Sequence, residues 1–200
     1  GFRAGGTTWV PGKFGSAVHF NGTDGYIQMQ SSANVNPTNA MTVAAWIKSD
    51  GSHWNANGSL ISKRDAFILY PGQGTQQLYF LLYIGGNWVG PGYTPSIDLT
   101  QWHHYAGTYD GATIRFYIDG VQVASAAQTG TINQDTGQLF IGRDDGNPSY
   151  FAGAMDSVRI YNCALSSADI LALATAASDG TSTVSIPTFT PPSGTYGTAP

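Results

Sequence analysis

Thr113-Ile114-Arg115-Phe116-Tyr117-Ile118-Asp119-Gly120-Val121-Gln122-Val123-Ala124-Ser125-Ala126 carries the clearest local signal in the chain. Two runs rich in β-branched and aromatic residues flank an Asp-Gly pair, the dipeptide that tolerates the positive φ angles of a two-residue hairpin turn. A β-hairpin is predicted. Outward from it, residues 102–109, 139–142 and 154–161 read as further strands. Residues 41–48 alternate Met41, Val43, Ala45 and Ile47 on one face with Thr42, Ala44, Trp46 and Lys48 on the other. Both faces are partly apolar, as an inner strand requires.

Residues 59–63, 67–70, 78–83 and 87–90 continue the pattern between Gly- and Pro-bearing loops, about ten residues apart, a spacing that suits a sandwich. Residues 17–20 and 26–30 flank the turn Asn21-Gly22-Thr23-Asp24-Gly25 and are expected to be neighbouring strands. Residues 166–177 can form one short helix, capped by Ser166 with Asp169 in its first turn. The chain reads as all-β, a two-sheet antiparallel sandwich with a short C-terminal helix.

Composition agrees. Of 200 residues, 26 are Gly, 11 Tyr and 5 Trp, and only 10% are charged, a profile of strand and turn formers. Residues 1–178 are expected to form one domain. Residues 179–200 are rich in Ser, Thr, Pro and Gly and read as a linker opening onto a further module. The net charge of -4 and eight scattered basic residues leave no footprint for nucleic acid. No apolar run suits membrane insertion. Cys163 is the only cysteine, so no disulfide forms within the chain. Low charge and a Thr/Asn/Gly-rich make-up point to a secreted or cell-surface protein, with any export signal upstream or removed.

Several segments, in order, resemble the laminin G-like, concanavalin A-like jelly-roll family. They are Trp9-Val10-Pro11-Gly12-Lys13-Phe14-Gly15 leading to Ala17-Val18-His19-Phe20-Asn21-Gly22, Met41-Thr42-Val43-Ala44-Ala45-Trp46-Ile47, Trp102-His103-His104-Tyr105-Ala106-Gly107-Thr108-Tyr109, Tyr117-Ile118-Asp119-Gly120, and Gly153-Ala154-Met155-Asp156-Ser157-Val158-Arg159-Ile160-Tyr161. The resemblance implies a jelly roll, a structural calcium ion, and a carbohydrate or protein ligand at the loops or the concave face. It also implies a strand ahead of Trp9, and only eight residues precede that position. A missing first strand would leave an open edge beside residues 17–20, which points to a processed or truncated piece or to a strand supplied by another chain. Residues 186–200 resemble the opening of a small module appended to secreted bacterial glycoside hydrolases, which points to a bacterial source.

Calcium takes six to eight oxygen ligands, and Asn/Asp/Gly turns supply them. Asn21, Asp24 and Gly25 fit that need, and the resemblance places Asp156 beside them. Sugars stack their CH faces on exposed aromatic rings and pair their hydroxyls with polar groups. Trp54, Trp88 and Tyr93 fall in loops among His53, Asn55 and Asn87 and are the expected platforms. Arg64, Arg143 and Asp144 are the expected polar partners, whereas Trp46 and Trp102 lie in strands and are expected to pack. All twelve acidic residues are aspartate, so the paired glutamates of the glucanases of this fold cannot be built. His103 and His104 are adjacent on a strand and point to opposite faces. The chain is expected to be a non-catalytic module of a larger secreted protein that binds a polysaccharide or other glycan. The alternative is a structural or adhesive module completed by strand pairing with a partner chain.

Overall fold

The computed structural model describes residues 1–55, 60–146 and 149–176. In chain order the strands are β1 (Phe2–Ala4), β2 (Thr8–Pro11), β3 (Ser16–Asn21), β4 (Tyr26–Met29), β5 (Met41–Ser49), β6 (Ile61–Lys63), β7 (Phe67–Pro71), β8 (Leu78–Ile84), β9 (Asn87–Val89), β10 (Gly92–Tyr93), β11 (His103–Tyr109), β12 (Thr113–Ile118), β13 (Val121–Ala127), β14 (Leu139–Ile141) and β15 (Ala152–Tyr161). Among the described residues a short 3-10 helix spans Ala33–Val35 and one α-helix, α1 (Ser167–Thr175), follows β15. The stretch expected to be a linker, residues 179–200, lies outside the described residues.

The strands build two antiparallel sheets packed as a jelly-roll sandwich. One has eight strands in the order β1-β4-β14-β6-β7-β8-β10, with β9 also on β8. The other has seven, β13-β12-β11-β5-β15-β3-β2. The predicted hairpin forms, with φ of 50° at Asp119 and 83° at Gly120. β5 lies between β11 and β15, the inner position its two apolar faces require.

Inward side chains of both sheets meet in one core. Phe67, Leu69, Leu78, Phe80 and Leu82 face Val43, Ala45, Ile47, Tyr105 and Phe116. Contact across the sandwich is close enough that Gly107 must be glycine: a Cβ there would stand 2.2 Å from the Phe80 ring. The outer face of the seven-stranded sheet is covered by α1, whose Ile170 and Leu173 pack on Ala44, Ala106 and Tyr117. Burying each such side chain contributes about 1.5–3 kcal/mol. The helix begins as expected: the Asp169 N–H donates to Ser166 Oγ at 3.2 Å, and the Ser166 N–H donates to Asp169 Oδ2 at 3.1 Å.

Two expectations need correction. β3 and β4 are not neighbours: β3 pairs with β2 and β15, and β4 with β1 and β14 in the opposite sheet. The intervening turn is too wide for a tight hairpin, because Asn21 Oδ1 gathers the N–H groups of Thr23, Asp24 and Gly25 at 3.0, 3.1 and 3.0 Å. It carries the chain from one sheet to the other. Nor is the edge beside residues 17–20 open. β2 pairs along it from Thr8↔His19 to Pro11↔Ser16, and β1 covers the edge of β4. The pair Gly5-Gly6, with φ of 60° at Gly5, turns the chain between those two edges.

Besides the terminal strands of the two sheets, part of β15 is left unpaired on one side. β3 pairs only with Ala152–Met155. Ser157 then bulges at φ 50°, and among the described residues Arg159–Tyr161 pair with β5 alone.

Candidate functional site

With α1 over the seven-stranded sheet, the outer face of the eight-stranded sheet is the broad strand surface that no helix covers among the described residues. On β8 burial alternates strictly, so Leu78, Phe80, Leu82 and Ile84 enter the core while Tyr79, Leu81 and Tyr83 face outward. Register extends that outward row to the neighbours. Ile68 lies opposite Leu81, Tyr70 opposite Tyr79, and Trp88 of β9 opposite Tyr83. The Trp88 and Tyr83 ring centroids are 5.3 Å apart, and those of Tyr70 and Tyr79 are 6.4 Å apart.

These side chains enclose a groove of about 200 Å³, floored by Ile68 and Leu81 and walled by Tyr70, Trp88 and Arg64. Arg64 is half exposed and forms an ion pair with Asp144, whose side chain is 2% exposed. Ser62 Oγ, beneath, donates to the same carboxylate at 2.9 Å. The pair with Asp144 restrains this planar guanidinium where it lines the groove. Alongside, the Arg143 guanidinium lies over the rings of Tyr26 and Phe140 at 4.8 and 4.7 Å, and 3.4 Å from Asp145.

The expected platforms separate. Trp88 lines the groove. Trp54 does not: it is 1% exposed and packs on Tyr105 and Phe151 at centroid distances of 6.1 and 6.3 Å. Its loop folds inward because its backbone is held on both sides, by Trp54 N–H to Thr75 O and Gly74 N–H to Trp54 O at 2.9 Å each. Burying that large ring gains more than exposing it. Tyr93 is exposed but sits opposite Leu78, a core residue, and so projects from the other face of the sheet edge. Arg64 lines the groove, whereas Arg143 lies over Phe140 outside its lining. Asp144 is too buried to touch a ligand and acts by holding Arg64. Trp46 is 5% exposed, between Phe14, His104 and Lys13, and Trp102 lies half-buried beneath Lys48, so both pack as expected.

The residues proposed for calcium do not converge. Asn21 Oδ1 is committed to three N–H donors. Asp24 Oδ1 accepts from Asn21 Nδ2 and the Gly6 N–H, both at 2.8 Å, and these bonds hold its carboxyl below the usual carboxylate range. Asp156 serves another segment, accepting the Phe14 N–H at 2.8 Å. It stands four residues along β15 from the partner of Asn21, about 13 Å at strand rise. Among the described residues no three His, Cys, Asp or Glu side chains meet as a metal-binding group. These four residues, as folded, do not fit one calcium ion.

The histidine pair divides as predicted. His104 is buried on the Trp46 side, and burial brings it down to about 4, so it is neutral. His103 bonds Asp119 Oδ2 at 2.7 Å and the Asp98 carbonyl at 3.1 Å, an arrangement that ties the hairpin turn to a loop. Among the described residues neither His103 nor His104 forms a hydrogen bond with a Ser, Thr or Cys side chain.

Ile68, Tyr70, Leu81, Tyr79 and Tyr83 had not been expected at a site. The signal was there in residues 78–84, where apolar and tyrosine-bearing positions alternate with two tyrosines on the solvent side. Finding the groove also needed the pairing with β7 and β9.

Comparison with known proteins agrees with this architecture. Domain 4 of AbnA, an extracellular arabinanase from Geobacillus stearothermophilus solved with arabinotriose, superposes with a TM-score of 0.66 at 21% identity, over 86% of this chain and 82% of that one. The binding domain of botulinum neurotoxin DC in complex with SialylT gives 0.71 at 14% identity, over 86% of this chain and 45% of that one, so the chain spans under half of the toxin domain. A heptameric SAP-like pentraxin from Limulus polyphemus gives 0.59 at 17%, over 80% of this chain and 81% of that one. At such identities these likenesses establish the fold. No curated protein sequence matches the chain. The family model described as the concanavalin A-like lectin/glucanases superfamily, a laminin G type, matches residues 21–171, and the chain belongs to that family.

Proposed function

We propose that the chain is a non-catalytic, extracellular carbohydrate-binding module of a larger secreted protein, bacterial in origin. The observation that carries this reading is the groove of Trp88, Tyr70, Ile68, Leu81 and Arg64 on the uncovered face of the eight-stranded sheet. Apolar CH faces of a sugar stack on Trp88 and Tyr70 while hydroxyls bond the Arg64 fork. The arabinanase domain, which was solved with an oligosaccharide, lends support from the same fold. Function is argued from the site, since one fold hosts many activities. The absence of glutamate favours binding over hydrolysis of the kind the glucanases of this fold carry out.

The experiment is a glycan array with the purified chain, repeated with Trp88→Ala and Trp54→Ala. Trp88→Ala is expected to weaken binding at least ~tenfold with the fold intact by circular dichroism. Trp54→Ala is expected to lose about 3–5 kcal/mol of stability by urea unfolding. At temperatures where it stays folded it keeps its affinity. Equal loss of binding in both folded variants, or binding untouched by Trp88→Ala, overturns the groove as the site.

A second reading, strand pairing with a partner chain, is favoured by one observation. The unpaired stretch of β15 borders an apolar groove of about 170 Å³ that includes Trp9, Val18, Ile27 and Val158. Phe2 and Trp9, on the outermost strands nearby, are 65% and 64% exposed. Solution mass is its measure.

A further inference from the structure

Resting on the glycan-binding reading above, we propose that the Trp88 groove takes an uncharged glycan and excludes acidic polysaccharides, with Arg64 serving as a hydrogen-bond donor whose charge is already matched. Arg64 is the one charged side chain among the described residues that line the groove, and a second guanidinium, Arg143, lies over Phe140 farther along the same sheet face with Asp145 beside it. Arg64 is paired with Asp144, and Arg143 is stacked over aromatic rings beside Asp145. The neighbouring cation, Lys63, is 0% exposed and spent on Gly137 O at 2.6 Å, Ser31 Oγ at 3.0 Å and Asp135 at 3.7 Å. No unmatched positive charge is therefore found among the described residues that line the groove.

A ligand carboxylate or sulfate needing Arg64 would have to draw it from Asp144. Asp144 would then be left buried and ionised, with Ser62 as its remaining side-chain donor among the described residues. Breaking a buried pair in this way is strongly unfavourable. A hydroxyl asks for less. A guanidinium has five N–H donors, and the bond to Asp144 uses Nη1, so a sugar hydroxyl can accept from another without disturbing the pair. The floor of Ile68 and Leu81 offers nothing to a charge and suits the CH face of an uncharged ring. Asp144 is thus a positioning residue, and it sets the class of ligand by occupying the charge of Arg64.

The test measures binding of the full chain to a panel of neutral polysaccharides (arabinan, galactan, xylan, β-glucan) and acidic ones (polygalacturonate, alginate, hyaluronan), in low and in high salt. Neutral chains are expected to bind with affinity changing less than about twofold with salt, and acidic ones not to bind. Asp144→Asn, with folding verified by circular dichroism, is expected to gain acidic binding that weakens as salt rises. Should that variant fail to fold, Arg64→Gln takes its place, expected to lose neutral affinity about tenfold and to gain no acidic binding. Acidic polymers binding the unaltered chain overturn this inference and leave the glycan-binding reading standing. Binding to neither class overturns both. A folded Asp144→Asn protein that gains no acidic binding overturns the role given to Asp144.

Discussion

Trp54 and Trp88 occupy similar sequence surroundings, each in a polar, Gly-bearing loop, and end in opposite roles. Trp88 sits in a strand paired with Tyr83 and lines a groove, whereas Trp54 is fastened by Thr75 and Gly74 into the core. His104 illustrates the same dependence on surroundings. Its position on β11 places it under Trp46, 2% exposed, with Nδ1 unpaired by any protein group among the described residues. Burial lowers it from its ordinary 6.5 to about 4, with Arg159 adding to that and Asp119 opposing it. The folded protein therefore keeps it neutral while the unfolded chain takes up a proton below about 6.5. Its stabilising effect is complete above that pH and is lost as the pH falls from about 6.5 towards 4, by up to about 3 kcal/mol. Urea midpoints measured across this range are expected to fall with pH in the natural chain and to fall less in His104→Leu. Parallel curves for the two proteins would remove His104 from the account.

At the scale of elements, β15 repays study. Its first half is flanked on both sides and its second half on one, with Ser157 in a left-handed backbone conformation at the junction. Unpaired backbone on a long strand invites another strand, and exposed aromatics nearby strengthen the invitation. If a partner strand is accepted there, light scattering on the isolated chain is expected to show mass rising above the monomer with concentration, and Trp9→Lys to suppress the rise. A monomer at every concentration counts against that second reading. The opposite end of the sheet behaves as ordinary design: β13 is the edge, and Val121 is its exposed large apolar residue.

For the whole molecule, the question is whether an ion contributes to stability. The turn of residues 21–25 is closed by its own hydrogen bonds, with Asp24 tying it to Gly6 and so to the β1–β2 connection. Nothing in that closure calls for a cation, and Asp156 is engaged elsewhere. Chelation with EDTA is expected to leave the melting temperature unchanged, because a ligand that binds only the native state must raise it. A fall of several degrees, reversed by calcium, would mean that oxygens other than this set hold an ion.

The hairpin of residues 113–126, the inner strand of residues 41–48 and the capped helix were legible in the chain because each is specified by its own residues. An Asp-Gly turn, a period of two and a Ser166/Asp169 box act over a few positions. The superfamily was legible too, from ordered segments that together define the core. The placement of β3 and β4 in opposite sheets was not. A flexible five-residue turn permits either outcome, and the decision lies with partners more than a hundred residues away, β15 and β14. Two of the five groove residues, Trp88 and Arg64, were in view, and Tyr70, Ile68 and Leu81 were not. The sequence by itself determined the class of fold, the supply of aromatic side chains and the exclusion of a glutamate-based active site. Only the tertiary structure decided which aromatic is buried, which aspartate is spent on an arginine and which sheet face stays uncovered, because burial and pairing are properties of neighbours that the chain brings together from afar.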